Sequence, residues 1–162
     1  MTTIAPHAET RAQYLSFELC GEEYAVNILR VREIIEYDTL TRVPGMPACV
    51  RGVINLRGRV VPVLDLAARF GLAESETTRR SCIVMMELTD DEDSVVIGVI
   101  TDAVSQVLDL ADSEIELPPS CGTHISAEFI SGMAQTGKKF VILLDIDRAL
   151  NPAELLGEVV EP

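Results

Sequence analysis

The chain has 162 residues, of which 48% are hydrophobic and 24% charged, a balance that excludes intrinsic disorder and suits one ordinary domain or two very small ones. Thirteen Lys and Arg against 26 Asp and Glu give a net charge of −13, so nucleic acid and anionic lipid are poor partners for the chain as a whole. Its longest apolar runs fall far short of the ~20 residues that a membrane-spanning helix needs.

In chain order, residues 1–12 mix polar side chains with Pro6 and carry neither a basic leader nor an apolar export segment. They read as a flexible tail of a cytoplasmic protein. Short apolar runs rich in Val and Ile, bounded by Gly, Pro or acidic clusters, follow and predict about ten strands: 14–20, 24–28, 33–43, 52–56, 59–64, 81–88, 95–101, 105–110, 129–135 and 139–146. Helix signals are confined to 65–70, closed by Gly71, and to 153–156 within a C-terminal helix and tail over 152–162. The acidic run 89–93 reads as a solvated hairpin tip. Cys20, Cys49, Cys82 and Cys121 show no CxxC spacing and read as reduced, buried thiols.

An internal repeat organises the pattern. The segment from Val50 to Leu66 matches that from Ile130 to Ile146: Gly52 and Gly132 lie 80 apart, as do Asp65 and Asp145, whereas Gly58 and Gly137 lie 79 apart. One residue inserted and deleted around the turn accounts for the difference. Upstream, 25–31 resembles 98–104 at a spacing of 73. Two copies of a five-stranded unit follow, and closing each sheet removes its edges. The expected fold is mostly β, two packed five-stranded barrels with short helices, divided at about 14–72 and 81–147.

Little points to catalysis. His7 and His124 have no ligand partners at metal-binding spacing, so neither a metal nor a cofactor is expected. Gly132 to Lys139 fits the spacing of a phosphate-binding loop but puts Lys where Ser or Thr must hold magnesium, and a strand follows where a helix is needed. Asp65 and Asp145 sit where strands hand over to helical turns and read as N-caps. The feature that stands out is Arg51-Gly52-Val53-Ile54-Asn55-Leu56-Arg57-Gly58-Arg59, three arginines in an acidic chain, with 56–59 expected to form a tight hairpin turn in which Gly58 supplies positive φ.

This run, continued by Val60-Val61-Pro62-Val63-Leu64-Asp65-Leu66 and by Phe70-Gly71-Leu72, resembles the signature of the CheW family of bacterial chemotaxis adaptors. So do residues 24–34, 41–44, 98–110, 115–118 and 144–146. The resemblance covers nearly the whole chain, while the four cysteines and Gly45-Met46-Pro47 depart from the family pattern. It implies SH3-like barrels in a CheW-like domain over 13–151, no enzymatic activity, and a role in joining methyl-accepting chemoreceptor tips to the CheA histidine kinase. The competing possibility is a CheW-like competitor that binds receptor without activating kinase. With no receiver domain or kinase segment among the 162 residues, neither a CheV-type protein nor a CheA fragment is expected. Carried over by match, the receptor contacts are Val31 as apolar anchor, Glu33, Gly52, Asn55, Gly58, and Arg57 either as polar contact or as partner of Glu33. Asp38, Thr39, Leu40 and Arg42 are the kinase-contact candidates.

Overall fold

The computed structural model describes residues 10–72, 77–90, 93–117 and 127–150. Eleven strands and two short helices run in the order β1 (Arg11–Leu19), β2 (Glu22–Asn27), β3 (Val31–Glu36), β4 (Val50–Leu56), β5 (Arg59–Asp65), α1 (Leu66–Arg69), β6 (Cys82–Asp90), β7 (Asp93–Thr101), β8 (Ala103–Ala111), β9 (Ile115–Glu116), β10 (Ile130–Thr136), β11 (Lys139–Leu144) and α2 (Ile146–Ala149). They form a six-stranded sheet ordered β8-β1-β2-β11-β10-β9 and a five-stranded sheet ordered β3-β6-β7-β5-β4. The mostly β fold is as expected. The first sheet gains the two-residue β9, which is too short to leave a periodic signal.

The repeat is real at the level of single hydrogen bonds. Asp65 N–H donates to Cys49 O and Asp145 N–H to Phe129 O, both at 2.8 Å. The β4–β5 and β10–β11 ladders both shift register at the glycine of the repeat, Gly52 and Gly132. No residue is inserted around the turns, however. Leu56 pairs with Arg59 and Thr136 with Lys139, so both turns have two central residues, and the glycine moves from the second position (Gly58) to the first (Gly137).

The strands do not sort by copy into 14–72 and 81–147. Barrel 1 takes β1–β2 from the first copy and β8–β11 from the second, and barrel 2 takes β3–β5 from the first and β6–β7 from the second. The copies thus exchange their leading hairpins. Only Asp102 separates β7 from β8, fewer than the two residues that the tightest common hairpin turn needs, so β8 cannot fold back on β7 and continues into the neighbouring barrel. The 3₁₀ turn Ile28–Arg30 carries β2 into β3 at the equivalent crossing. Parallel pairs join the strands of the two copies within each sheet, Val63 with Gly98 and Leu143 with Ala25.

This arrangement explains the continuous apolar runs. Along β6, Ile83 and Met85 point into barrel 2 while Val84, Met86 and Leu88 point into the core between barrels. Along β2, Ala25 faces the interior of barrel 1, and Tyr24 and Val26 face the shared core. Strands buried on both faces lose the polar alternation. Phe17, Tyr24, Phe70 and Phe129 line up through the shared core at ring separations of 6.3, 6.2 and 5.5 Å. Arg69 closes the row, its guanidinium 5.0 Å from the Phe129 ring centre and its Nε donating to Ala149 O at 3.1 Å.

Several boundaries differ from expectation. The strand expected over 33–43 is β3 alone, with Thr41 making an isolated bridge to Val53. Residues 38–40 stay unpaired, and the Asp38 carboxylate accepts the Thr39 N–H at 2.7 Å, a local bond that competes with strand pairing. The strand expected to 146 ends at Leu144, where Asp145 caps α2. β1 begins at Arg11, inside the expected tail. Cys20, expected to be buried, is exposed at φ 51° in the β1–β2 turn. The C-terminal helix, His7, His124 and Cys121 lie outside the described residues.

Candidate functional site

The β4–β5 turn is built to hold one arginine outward. Arg57 and Gly58, at φ 53° and 83°, give the left-handed pair that a two-residue hairpin prefers. The Asn55 side-chain oxygen accepts the Gly58 N–H at 2.8 Å. From this support Arg57 reaches β3 and grips Glu33 with two parallel bonds, Nη1 to Oε1 and Nη2 to Oε2, both 2.8 Å. Hydrogen bonding to Arg57 holds the Glu33 carboxyl below its usual range and raises the Arg57 guanidinium. Both groups therefore stay charged, and the fork fixes the turn against β3 more tightly than a single contact would.

Beside the clamp lies a groove of about 550 Å³, with Leu56, Val60, Pro62, Met85 and Val95 among its apolar lining. Val60 is 71% exposed. It alternates with the buried Val61 and Val63, so on strand periodicity it belongs to the outer face, a signal the apolar run of β5 conceals. Arg59 and Arg32 complete the rim, and Arg32 is paired with Glu87 at 2.8 Å.

The receptor candidates separate into three roles. Glu33, Asn55, Arg57 and Gly58 come together as clamp and turn. Gly52 is buried farther back along β4: a Cβ there would stand 2.6 Å from the Thr41 carbonyl oxygen, so its role is to let residues 40–41 close over β4. Val31 is half-buried against the core between barrels, which favours packing over contact. Among the kinase candidates, Asp38, Thr39 and Arg42 are exposed while Leu40 packs on the barrel 2 interior. Arg42 and Arg51 line two adjoining hollows. Arg51 is committed inward, its Nη1 2.8 Å from Oδ2 of the fully buried Asp65, whose Oδ1 caps α1 through Ala67 N–H at 3.0 Å. Asp145 caps α2 in the same way, so both aspartates serve structure.

The CheW-like domain model matches residues 13–154. The chain belongs to the CheW-like family. The chemotaxis protein CheW of Rhizobium meliloti is 34% identical over 148 residues, covering 91% of this chain and 93% of that protein. CheW of Klebsiella aerogenes is 32% identical over 143 residues, covering 88% and 84%. Protein FrzA of Myxococcus xanthus is 28% identical over 93% and 92%. The solved structure of the scaffolding protein TtCheW from Thermoanaerobacter tengcongensis matches the CheW-like chain with a TM-score of 0.76 at 31% identity, covering 90% of this chain and 91% of that one. No helix among the described residues is long and apolar enough to cross a membrane.

Proposed function

We propose that this chain is a non-enzymatic adaptor that couples the cytoplasmic tip of a methyl-accepting chemoreceptor to the regulatory domain of the CheA histidine kinase at membrane-associated arrays, and so controls kinase autophosphorylation. The observation that carries the reading is the Arg57–Glu33 clamp, a charged pair held on a stiff turn beside an apolar groove, in a chain whose family match spans nearly its whole length. Apolar surface rimmed by charge suits protein association. Receptor contact falls to Glu33, Asn55, Arg57 and Gly58, with Val31 and Gly52 as their support, and kinase contact to Asp38, Thr39, Leu40 and Arg42.

The test is CheA autophosphorylation with receptor signalling domains in membranes, with and without this protein. Stimulation that needs all three components is expected. Arg57→Glu sets two carboxylates against each other and lowers receptor affinity by about tenfold, the order expected for losing one charge-assisted contact. The exchanged pair Glu33→Arg with Arg57→Glu restores the clamp and recovers the affinity. Failure of that recovery, with the fold intact, assigns Arg57 to direct contact. Receptor binding without kinase stimulation would make the protein a competitor.

A further inference from the structure

Charge along this chain is segregated. Residues 39–64 contain Arg42, Arg51, Arg57 and Arg59 and no Asp or Glu; that +4, set against −13 for the whole chain, leaves −17 for the remainder. The segment comprises the loop after β3, the edge strand β4, the clamped turn and most of β5. Of its four guanidinium groups, Arg51 is neutralised by Asp65 and Arg57 by Glu33. Arg42 and Arg59 are exposed, and no hydrogen bond or ion pair ties either guanidinium group to the described residues. Each stands at the lip of a hollow: Arg42 at a largely polar one shared with Val43, Met46 and Arg51, and Arg59 at the groove lined by Leu56, Val60 and Val95.

We infer that the β4 edge of barrel 2 is a docking strip for an acidic protein surface, with Arg42 and Arg59 as its two partner-facing cations. Each takes a carboxylate, and beside Arg59 a neighbouring aliphatic side chain enters the apolar groove. Thr41 lies opposite Val53, which sets Arg42 level with Gly52, and Arg59 lies opposite Leu56 on the other side of β4, so the two contacts stand about four strand residues, roughly 13 Å, apart along β4. Spacing on that scale suits one face of a single partner element. A nucleic acid backbone fits poorly, because a long polyanion that reached two free cations would run on into the acidic remainder of the molecule. A protein surface can present carboxylates at two points and apolar atoms between them. The inference rests on the adaptor reading only for which protein the partner is.

The experiment uses the isotopically labelled full chain and two probes of equal charge: a soluble Glu- and Leu-containing peptide and a single-stranded oligonucleotide. Peptide-induced NMR shifts confined to residues 39–64, weakened by 200 mM salt and lost in Arg42→Glu with Arg59→Glu, are expected. Shifts scattered over the surface, unchanged in that variant, or produced equally by the oligonucleotide overturn the inference. A second arm measures affinity for the receptor tip and for the CheA regulatory domain separately. The paired charge reversal is expected to weaken one of them at least tenfold and flatten its salt dependence. Wild-type protein that binds neither partner defeats the adaptor reading while the peptide arm still decides the strip. Binding of both partners untouched by the reversal defeats the strip alone.

Discussion

At Glu33 a pH dependence follows from the clamp. Its carboxyl is held below the usual glutamate range chiefly by hydrogen bonds from Arg57, with burial opposing and the guanidinium charge assisting. Because the folded-state value is the lower one, the pairing contributes fully above the ordinary glutamate value and is lost as pH falls through the depressed one. Arg57 remains charged throughout, so protonation of Glu33 alone opens the fork. Carboxyl-carbon NMR is expected to give Glu33 a depressed midpoint that returns to the ordinary glutamate range in Arg57→Ala. An unchanged midpoint in that variant would mean that the two side chains do not pair in solution. The pair is legible in the sequence only as one of two possibilities for Arg57, because β3 and the β4–β5 turn are far apart in the chain and only the barrel sets them side by side.

Among the elements, β4 joins the two candidate contact regions. Its C-terminal end carries Asn55 and the clamped turn, and its middle bridges Thr41 through two hydrogen bonds, Thr41 N–H to Val53 O at 2.9 Å and Val53 N–H to Thr41 O at 2.8 Å. Gly52 is the residue that permits this closure. In Gly52→Ala the new methyl meets a backbone oxygen, which no rotamer change can relieve, and urea unfolding is expected to lose about 2 kcal/mol. Gly45→Ala, in open space at φ 86°, loses about 1 kcal/mol from backbone conformation alone. Equal losses would remove the close approach from the account. The repeat made Gly52 visible by its match to Gly132, and it held the clue to α2 as well, since Asp145 sits 80 residues after the cap of α1. That helix escapes a pattern search because four residues, Ile146–Ala149, are too few to show a 3.6-residue period. Hairpin exchange is hidden for another reason: each copy carries a complete set of strand signals, and nothing local says which copy's hairpin completes which barrel. The usual adjacency of consecutive strands then points to the wrong division.

For the whole molecule, exchange of hairpins makes two barrels into one mechanical body. Among the described residues, the cluster shared between barrels contains 20 buried residues, against six inside barrel 1 and five inside barrel 2. Neither barrel interior is large enough to be the main source of stability; the shared core and the two strand crossings are. A contact that shifts β3 or β4 in barrel 2 is therefore expected to reach β1 and β2 through the shared core, which would suit an adaptor working on small free-energy differences. Removing a side chain inside only one barrel provides the test. Met85 is fully buried in barrel 2, and Met85→Ala is expected to lower stability by about 2–4 kcal/mol. Native-state hydrogen exchange should report that loss equally for the slowest amides of β1, β2 and β11 and for those of β5, β6 and β7, within one cooperative transition. If protection falls in barrel 2 while barrel 1 keeps its wild-type value, the barrels unfold separately, and the shared core does not bind them into a single body.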